Sequence, residues 1–242
     1  MINHLNFEQA DAEAGEKVLT PSQQRKDLAE LDHILPILGG RLTDLEFLAR
    51  RIKTGESPRK AAREIVDQSA GEILKMFLFG GDEAGRKWTP QQAWVLIRSL
   101  AGADSLRYNE VLLSDVYKAG GDAALAALEQ AEMISIQSHA GRPYSIRPGR
   151  PVYASAFQQL IGDKVLASKL DLVVLGESIK QETQSIDKCE QELHLLGELP
   201  KQPAELTSRV QYLLGKIQAS QVKIEAYERE SGVLKKVLMS EY

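Results

Sequence analysis

The 242-residue chain has one cysteine, few aromatic residues and no long apolar run. Because Cys189 stands alone, the sequence excludes an intrachain disulfide and a cysteine-rich zinc site. No stretch approaches the roughly 18 consecutive apolar residues of a membrane-spanning helix, and the first residues lack the apolar core of a signal peptide. We therefore expect this chain to contain no membrane segment.

Sequence motifs for catalysis are also absent. The four histidines lie far apart, without a second ligand at metal spacing: His4, His33, His139 and His194. The glycines of residues 80–87 imitate a phosphate-binding loop, but Gly85 is followed by Arg86 and Lys87, whereas the loop needs a lysine and then a hydroxyl residue for magnesium. We predict that the chain is no enzyme by itself and has no catalytic residue, metal or cofactor.

What is present is typical of a globular protein. Apolar residues make up 43% of the chain and charged residues 26%, which suffices for one or two modest cores. The net charge of -4 argues against a general nucleic-acid-binding protein, while leaving room for local basic surfaces.

A helix start follows two glycines near residue 40. Thr43 and Glu46 have the spacing of a capping box, and Leu42 is placed for a hydrophobic staple with Phe47. Helix N-termini attract anions, and a guanidinium can form two hydrogen bonds to phosphate, so Arg41 is a candidate nucleotide-sensing residue. The alternative is that Gly39-Gly40 ends the preceding helix at Leu38 and that Arg41 is only solvated.

This block and its continuation resemble a known family. The segments that carry the resemblance are Leu38–Glu46, Phe47–Lys53, Thr54–Pro58 and Glu64–Met76. They are similar to the C-terminal part of the mitochondrial escape protein 2 family, a fungal inner-membrane family. That family resembles AAA+ ATPases and has an RNA-recognition module and a transmembrane segment earlier in the chain.

The resemblance implies that this chain is a C-terminal fragment of a longer ATPase. It implies ATP and magnesium for the full-length protein, with Arg41 near the sensor-two position. It also implies a location in the mitochondrial inner membrane, with this region facing the intermembrane space, and a part in mitochondrial genome maintenance and RNA processing. The expected partners are its own ATPase core and neighbouring subunits of a homo-oligomer.

Residues 1–87 are predicted to form a helical, lid-like region. Thr20-Pro21 opens a first helix that Pro36 bends or ends, a second helix runs from Asp44 to about Lys53, and a third restarts after Ser57-Pro58. Basic residues outnumber acidic ones between Arg41 and Arg63. A solvated face is the ordinary interpretation, and a nucleotide or nucleic-acid contact is the alternative.

Residues 88–150 have the element order of a winged helix. Three helices, ended by Gly102, ended by Gly120-Gly121 and capped by Asp122, precede two strands that turn at Ala140-Gly141. The third helix carries acids and no Lys or Arg, so phosphate contacts would fall to the wing, through His139, Arg142, Arg147 and Arg150. We do not expect nucleic acid as a partner of this chain and favour a protein-protein role.

Residues 151–242 are predicted to form a long-helix, antiparallel coiled-coil hairpin. One arm repeats every seven residues, the break at Gly197 to Pro203 follows, and a second arm keeps the 3-4 spacing. The first arm's seam contains Val165, Leu172, Leu175, Ile179, Ile186, Cys189, Leu193 and Leu196. Pairing between chains is the rival interpretation, since heptads do not identify the mate.

The sequence therefore predicts a mainly α protein built from a lid-like bundle, a winged helix with a small β-hairpin, and a coiled-coil hairpin. The expected function is that of an accessory region in nucleotide sensing and in protein-protein assembly through the coiled coil. The alternative is a nucleic-acid-binding regulator that dimerises through its coiled coil, and a third possibility is a structural tether. The acidic third helix is the feature that discriminates them.

Overall fold

The computed structural model describes residues 21–79, 86–118, 120–198 and 204–241. Over these ranges the protein is mainly helical with one antiparallel sheet of three strands, so the predicted mainly α class is confirmed. None of the described helices is long and apolar enough to cross a membrane. Contacts divide the chain into two compact units, Met1–Ser69 and Ala70–Tyr242. The three predicted domains are a different division and stay a prediction.

The first unit contains α1 (Pro21–Leu38), α2 (Leu42–Lys53) and most of α3 (Pro58–Ile73). Apolar residues at helical spacing supply its interior, since each helix turns one stripe inward. The buried members of these stripes include Ile34, Leu38, Leu48, Ala61 and Ile65.

Pro36, predicted to bend or end α1, lies inside the helix and so does not end it. Pro36 removes one N–H donor, and the helix continues for only two more residues, to Leu38. The helix ends at Leu38 because Gly39 and Gly40 follow with φ of 67° and 73°. The alternative interpretation of the glycine pair, as the end of the preceding helix, is thereby confirmed.

The N-cap of α2 lies two residues before the predicted one. Arg41 is the N-cap, with φ of -68° and ψ of 122°, so Thr43 lies within the first turn and does not cap the helix. Leu42 is 70% exposed, which rules out its burial in a staple with Phe47. Two glycines in the left-handed conformation let the chain turn into the helix directly after Arg41.

The second unit begins with the end of α3 and a π-helical turn, Leu74–Phe79, and continues with alternating helices and strands. The order helix, strand, two helices and β-hairpin agrees with the predicted order, except that the first strand was not foreseen. The strands pair antiparallel in the order β1-β3-β2. These elements are α4 (Pro90–Ala101), β1 (Leu106–Arg107), α5 (Tyr108–Leu113), a 3-10 turn (Asp115–Tyr117), α6 (Gly121–Gln130), β2 (Ile134–His139) and β3 (Arg142–Pro148).

The predicted end of α4 is confirmed, because Gly102 is its C-cap. The helix begins after Thr89, which caps it in a capping box with Gln92. Another boundary differs from the prediction: α6 begins at Gly121 after the left-handed Gly120, so Asp122 lies inside the helix and does not cap it.

The unit ends with three helices, α7 (Pro151–Gly162), α8 (Lys164–Gly197) and α9 (Ala204–Ser240). The sequence predicts one long helix from Pro151, but the structure divides it at Asp163. The Asp163 carboxylate accepts the Leu166 N–H at 3.0 Å and so caps α8.

α8 and α9 run antiparallel as a helical hairpin. Glu192 pairs with Arg209 near the turn, and Glu182, ten residues earlier in α8, pairs with Lys223, fourteen residues later in α9. Of the predicted seam of α8, Leu175 and Cys189 are buried at 8% and 4% exposure, and the other members are half-buried. α8 therefore packs along α9 of the same chain, and pairing between chains stays the rival prediction.

Candidate functional site

Arg41 lies exposed at the start of α2, where the sequence predicts a contact with phosphate. Its carbonyl accepts the N–H groups of Asp44 and Leu45 at 3.1 and 3.0 Å, and no N-cap side chain caps the helix. Asp44 is a buried acid in the same first turn, where the partial positive charge of the helix favours it. An anion approaching this helix end would meet the Asp44 carboxylate, so a phosphate contact here would depend on the guanidinium of Arg41 and not on the helix N-terminus.

The basic stripe between Arg41 and Arg63 is partly used by the fold. Arg51 contacts Glu56 at 3.1 Å, pairs with Glu64, and lies over the Phe47 ring at 4.8 Å. It thereby ties α2 to α3. These contacts favour the interpretation of the stripe as a structural and solvated face.

The three wing arginines differ in their surroundings. Arg142 and Arg147 are exposed on the β2–β3 hairpin, called the β-hairpin below. Arg150 is half-buried: its guanidinium reaches Glu72 at 3.4 Å and lies over the Tyr153 ring at 5.1 Å. The structure therefore leaves Arg142 and Arg147 as candidates for an external contact and engages Arg150 in the fold.

The outward face of α6 is acidic. Asp122 and Glu129 are both exposed, and neither Lys nor Arg occurs between Gly121 and Gln130. The Tyr108 hydroxyl donates to Asp122 at 3.0 Å, and the Glu129 carboxylate accepts the Ile136 N–H at 2.8 Å. Burial and then the hydrogen bond to Asp122 raise the pKa of Tyr108 to about 12. A phosphate backbone approaching α6 would meet negative charge.

A buried carboxylate on α8 fastens the helical hairpin to α4. Asp171 accepts the indole N–H of Trp94 at 2.8 Å and a guanidinium N–H of Arg98 at 2.6 Å. Asp171 is 8% exposed and Trp94 is 1% exposed, so the indole N–H has little access to water. No local motif predicts this contact, because Trp94 and Asp171 lie 77 residues apart in sequence.

A second polar contact lies halfway along the helical hairpin. The Lys223 ammonium donates to Glu182 at 2.6 Å, and Ser220, 5% exposed, also bonds this carboxylate. Burial alone would raise the pKa of Glu182, but these hydrogen bonds and the Lys223 charge outweigh it and lower the pKa. Asp115 of the 3-10 turn adds its negative charge to the field at Lys223. Glu182 interrupts the predicted seam as a partner of Lys223.

Over the described residues, no group of three or more His, Cys, Asp and Glu side chains is placed to hold a metal. His4 and the glycine-rich residues 80–85 lie outside the described residues. The predictions that this chain has no catalytic residue, metal or cofactor stay predictions.

Comparison with known proteins shows which proteins this chain is similar to. Residues 1–199 match the family described as RNA12 protein. The protein called mitochondrial escape protein 2 of Phaeosphaeria nodorum is 58% identical over all of this chain and 30% of its own length. The protein of that name in Pyricularia oryzae is 54% identical over 91% of this chain and 26% of its own length. The protein of that name in Aspergillus niger is 48% identical over 100% of this chain and 29% of its own length.

The chain thus spans less than a third of the length of these relatives. No solved structure matches it.

Proposed function

The chain belongs to the RNA12 family, with close relatives named mitochondrial escape protein 2, and from this membership we propose that it is an accessory region of a mitochondrial AAA+-like ATPase. In this proposal it is the C-terminal region of an inner-membrane protein and faces the intermembrane space. It acts in nucleotide sensing and in protein-protein assembly, within mitochondrial genome maintenance and RNA processing. The relatives' names support the mitochondrial location, and their greater length leaves room for a nucleotide-binding core.

The observation that carries the nucleotide-sensing role is the placement of Arg41. It is an exposed N-cap residue directly after two left-handed glycines, at the start of a helix in the first unit. In the family-like arrangement α1, α2 and α3 form a lid that closes on the core, and Arg41 meets the γ-phosphate. ATP and magnesium would then be bound by the full-length protein.

The order of elements from α4 to β3 supports a winged-helix module, and the antiparallel α8–α9 pair supports a coiled-coil hairpin. The alternative, a nucleic-acid-binding regulator that dimerises through its coiled coil, has less support. The buried seam of α8 packs on α9 of the same chain, and α6 presents acids where such a regulator needs cations. A purely structural tether would show no nucleotide dependence.

The test replaces Arg41 in the full-length protein and measures ATP turnover. Losing a charge-assisted hydrogen bond to the transferring phosphate should lower kcat about tenfold or more for Arg41→Ala, and Arg41→Lys should recover part of it, because lysine keeps the charge without the forked geometry. Arg63→Ala, an exposed arginine on α3, is the matched control.

Calorimetry with ATP and magnesium complements this test, because the 242-residue chain alone should show no binding. Unchanged turnover in Arg41→Ala would remove Arg41 from the proposal, and micromolar ATP binding by the chain alone would contradict the assignment of the core to another region.

A further inference from the structure

The outer face of the three-stranded sheet carries positive charge in a chain that is negative overall. Residues 133–150 contain three arginines, one histidine and no acidic residue, while the whole chain has a net charge of -4. Arg150 is engaged with Glu72, which leaves Arg142 and Arg147 exposed. The charge of the β-hairpin is thus local and solvent-facing.

The strand register brings a third arginine to this surface. Arg107 of β1 pairs with Ser145 of β3, and Ser145 pairs with Gln137 of β2, to which its hydroxyl donates at 3.4 Å. Directly paired residues share one face of a sheet, and so do residues two apart on a strand. Arg107, Ser145 and Arg147 therefore lie on the same face, opposite the buried Ile146.

An aromatic residue adjoins these cations at the tip of the β-hairpin. Tyr144 is 58% exposed, and its ring lies 5.9 Å from that of His139. His139 pairs in register with Arg142 across the turn. Exposed aromatic rings beside cations are the surface on which unpaired bases stack while the phosphates are neutralised.

Two acids border this face. Glu110 is 3.9 Å from Arg107, with both side chains more than 70% exposed, so the pair is weak and breaks easily. Asp104 and Arg147 line one groove of about 540 Å³ together with Gln158. The face keeps a positive balance, whereas the acidic α6 opposes entry of this unit into a duplex groove.

We propose that the outer face of the sheet and the β-hairpin tip bind single-stranded nucleic acid, with phosphates contacted by Arg107, Arg142 and Arg147 and a base stacked on Tyr144. Binding follows charge and stacking and carries little sequence preference. The proposal does not depend on the ATPase assignment, since every contact lies within the second unit of this chain.

The experiment measures fluorescence anisotropy of a labelled single-stranded oligonucleotide of about 12 nucleotides with the complete 242-residue protein, from low to physiological salt. Three phosphate contacts on a single strand predict a slope of about -2 for log K against log salt, and each Arg→Ala change at Arg107, Arg142 or Arg147 should reduce its steepness by about 0.7. Tyr144→Ala should weaken binding about tenfold with the slope unchanged, and Tyr144→Phe should keep it.

Two further variants sharpen the measurement. Glu110→Gln frees Arg107 and should tighten binding two- to threefold. Arg229→Ala makes the same charge change at an exposed position on α9 and should leave binding unaltered. Circular dichroism spectra of all variants should match that of the unaltered protein.

Three results would overturn the proposal. The first is an absence of binding at low salt. The second is equal loss in Arg229→Ala and in Arg142→Ala, which would show a diffuse charge effect. The third is stronger binding to a duplex, or to vesicles containing an anionic phospholipid through the same arginines, which would make this face a duplex-binding or membrane surface.

Discussion

Replacing Asp171 by alanine should destabilise the second unit by about 2–3 kcal/mol. The change leaves the indole N–H of Trp94 without its acceptor, and because Trp94 is 1% exposed the orphaned donor costs about 1–3 kcal/mol. The side chain of Arg98 is 54% exposed, so its guanidinium returns to water and the lost ion pair adds at most about 1 kcal/mol. For a unit of this size the sum corresponds to a fall in Tm of about 5–10 °C.

Urea unfolding followed by tryptophan fluorescence measures this loss in the unit that contains the contact. The chain has only two tryptophans, Trp88 and Trp94, and both belong to the second unit. Asp187→Ala is the matched control, because it makes the same change at an exposed position of the same helix and should cost less than about 0.5 kcal/mol. Equal losses in Asp171→Ala and Asp187→Ala would refute the reasoning.

Two other predictions follow from particular residues. Glu182 has a lowered pKa when folded, so its contribution to stability is present above its usual value of 4.5 and disappears as the pH falls through the folded pKa. The stability gap between the unaltered protein and Glu182→Gln should therefore stay constant above about pH 5 and narrow as the pH falls below 4.5 in urea titrations. A gap that does not narrow below pH 4.5, as expected for exposed Glu228→Gln, would contradict this. Gly149→Ala should disrupt closure of the β-hairpin, because the added Cβ would lie 2.0 Å from the Glu132 carbonyl oxygen, whereas Gly215→Ala in open space on α9 should stabilise the protein by about 1 kcal/mol. Thermal melts should show a lower Tm for Gly149→Ala and a higher Tm for Gly215→Ala. A Gly149→Ala variant as stable as the unaltered protein would contradict the predicted disruption of the β-hairpin.

Helix boundaries were predictable where local chemistry offered one solution. At Thr89 the hydroxyl, the proline after it and Gln92 all specify the same start, and the structure has that capping box. At Thr43 the same spacing of hydroxyl and acid occurs, but Gly39 and Gly40 already allow the helix to begin after Arg41. A capping signature thus predicts a boundary less well when a preceding glycine pair permits an earlier one.

Short or single-residue features were not predictable for a different reason. The strand β1 has only two residues, Leu106 and Arg107, which is too short for alternation to be visible, and it exists because β3 offers a free edge. Asp163 divides the predicted long helix by capping α8, although no glycine-proline break marks the place as strongly as at Gly197 to Pro203.

The contact that fastens the helical hairpin escaped sequence reasoning because α8 has two buried faces. One face follows the heptad and packs on α9, which the 3-4 spacing reveals. The other face carries Asp171, which directly precedes the seam residue Leu172 and reaches Trp94 and Arg98 of α4. A single acid beside a heptad position suggests an exposed side chain when taken from sequence alone. Here Asp171 is buried against Trp94 and holds the hairpin on α4, whereas Glu182 lies in the seam as the partner of Lys223 on α9.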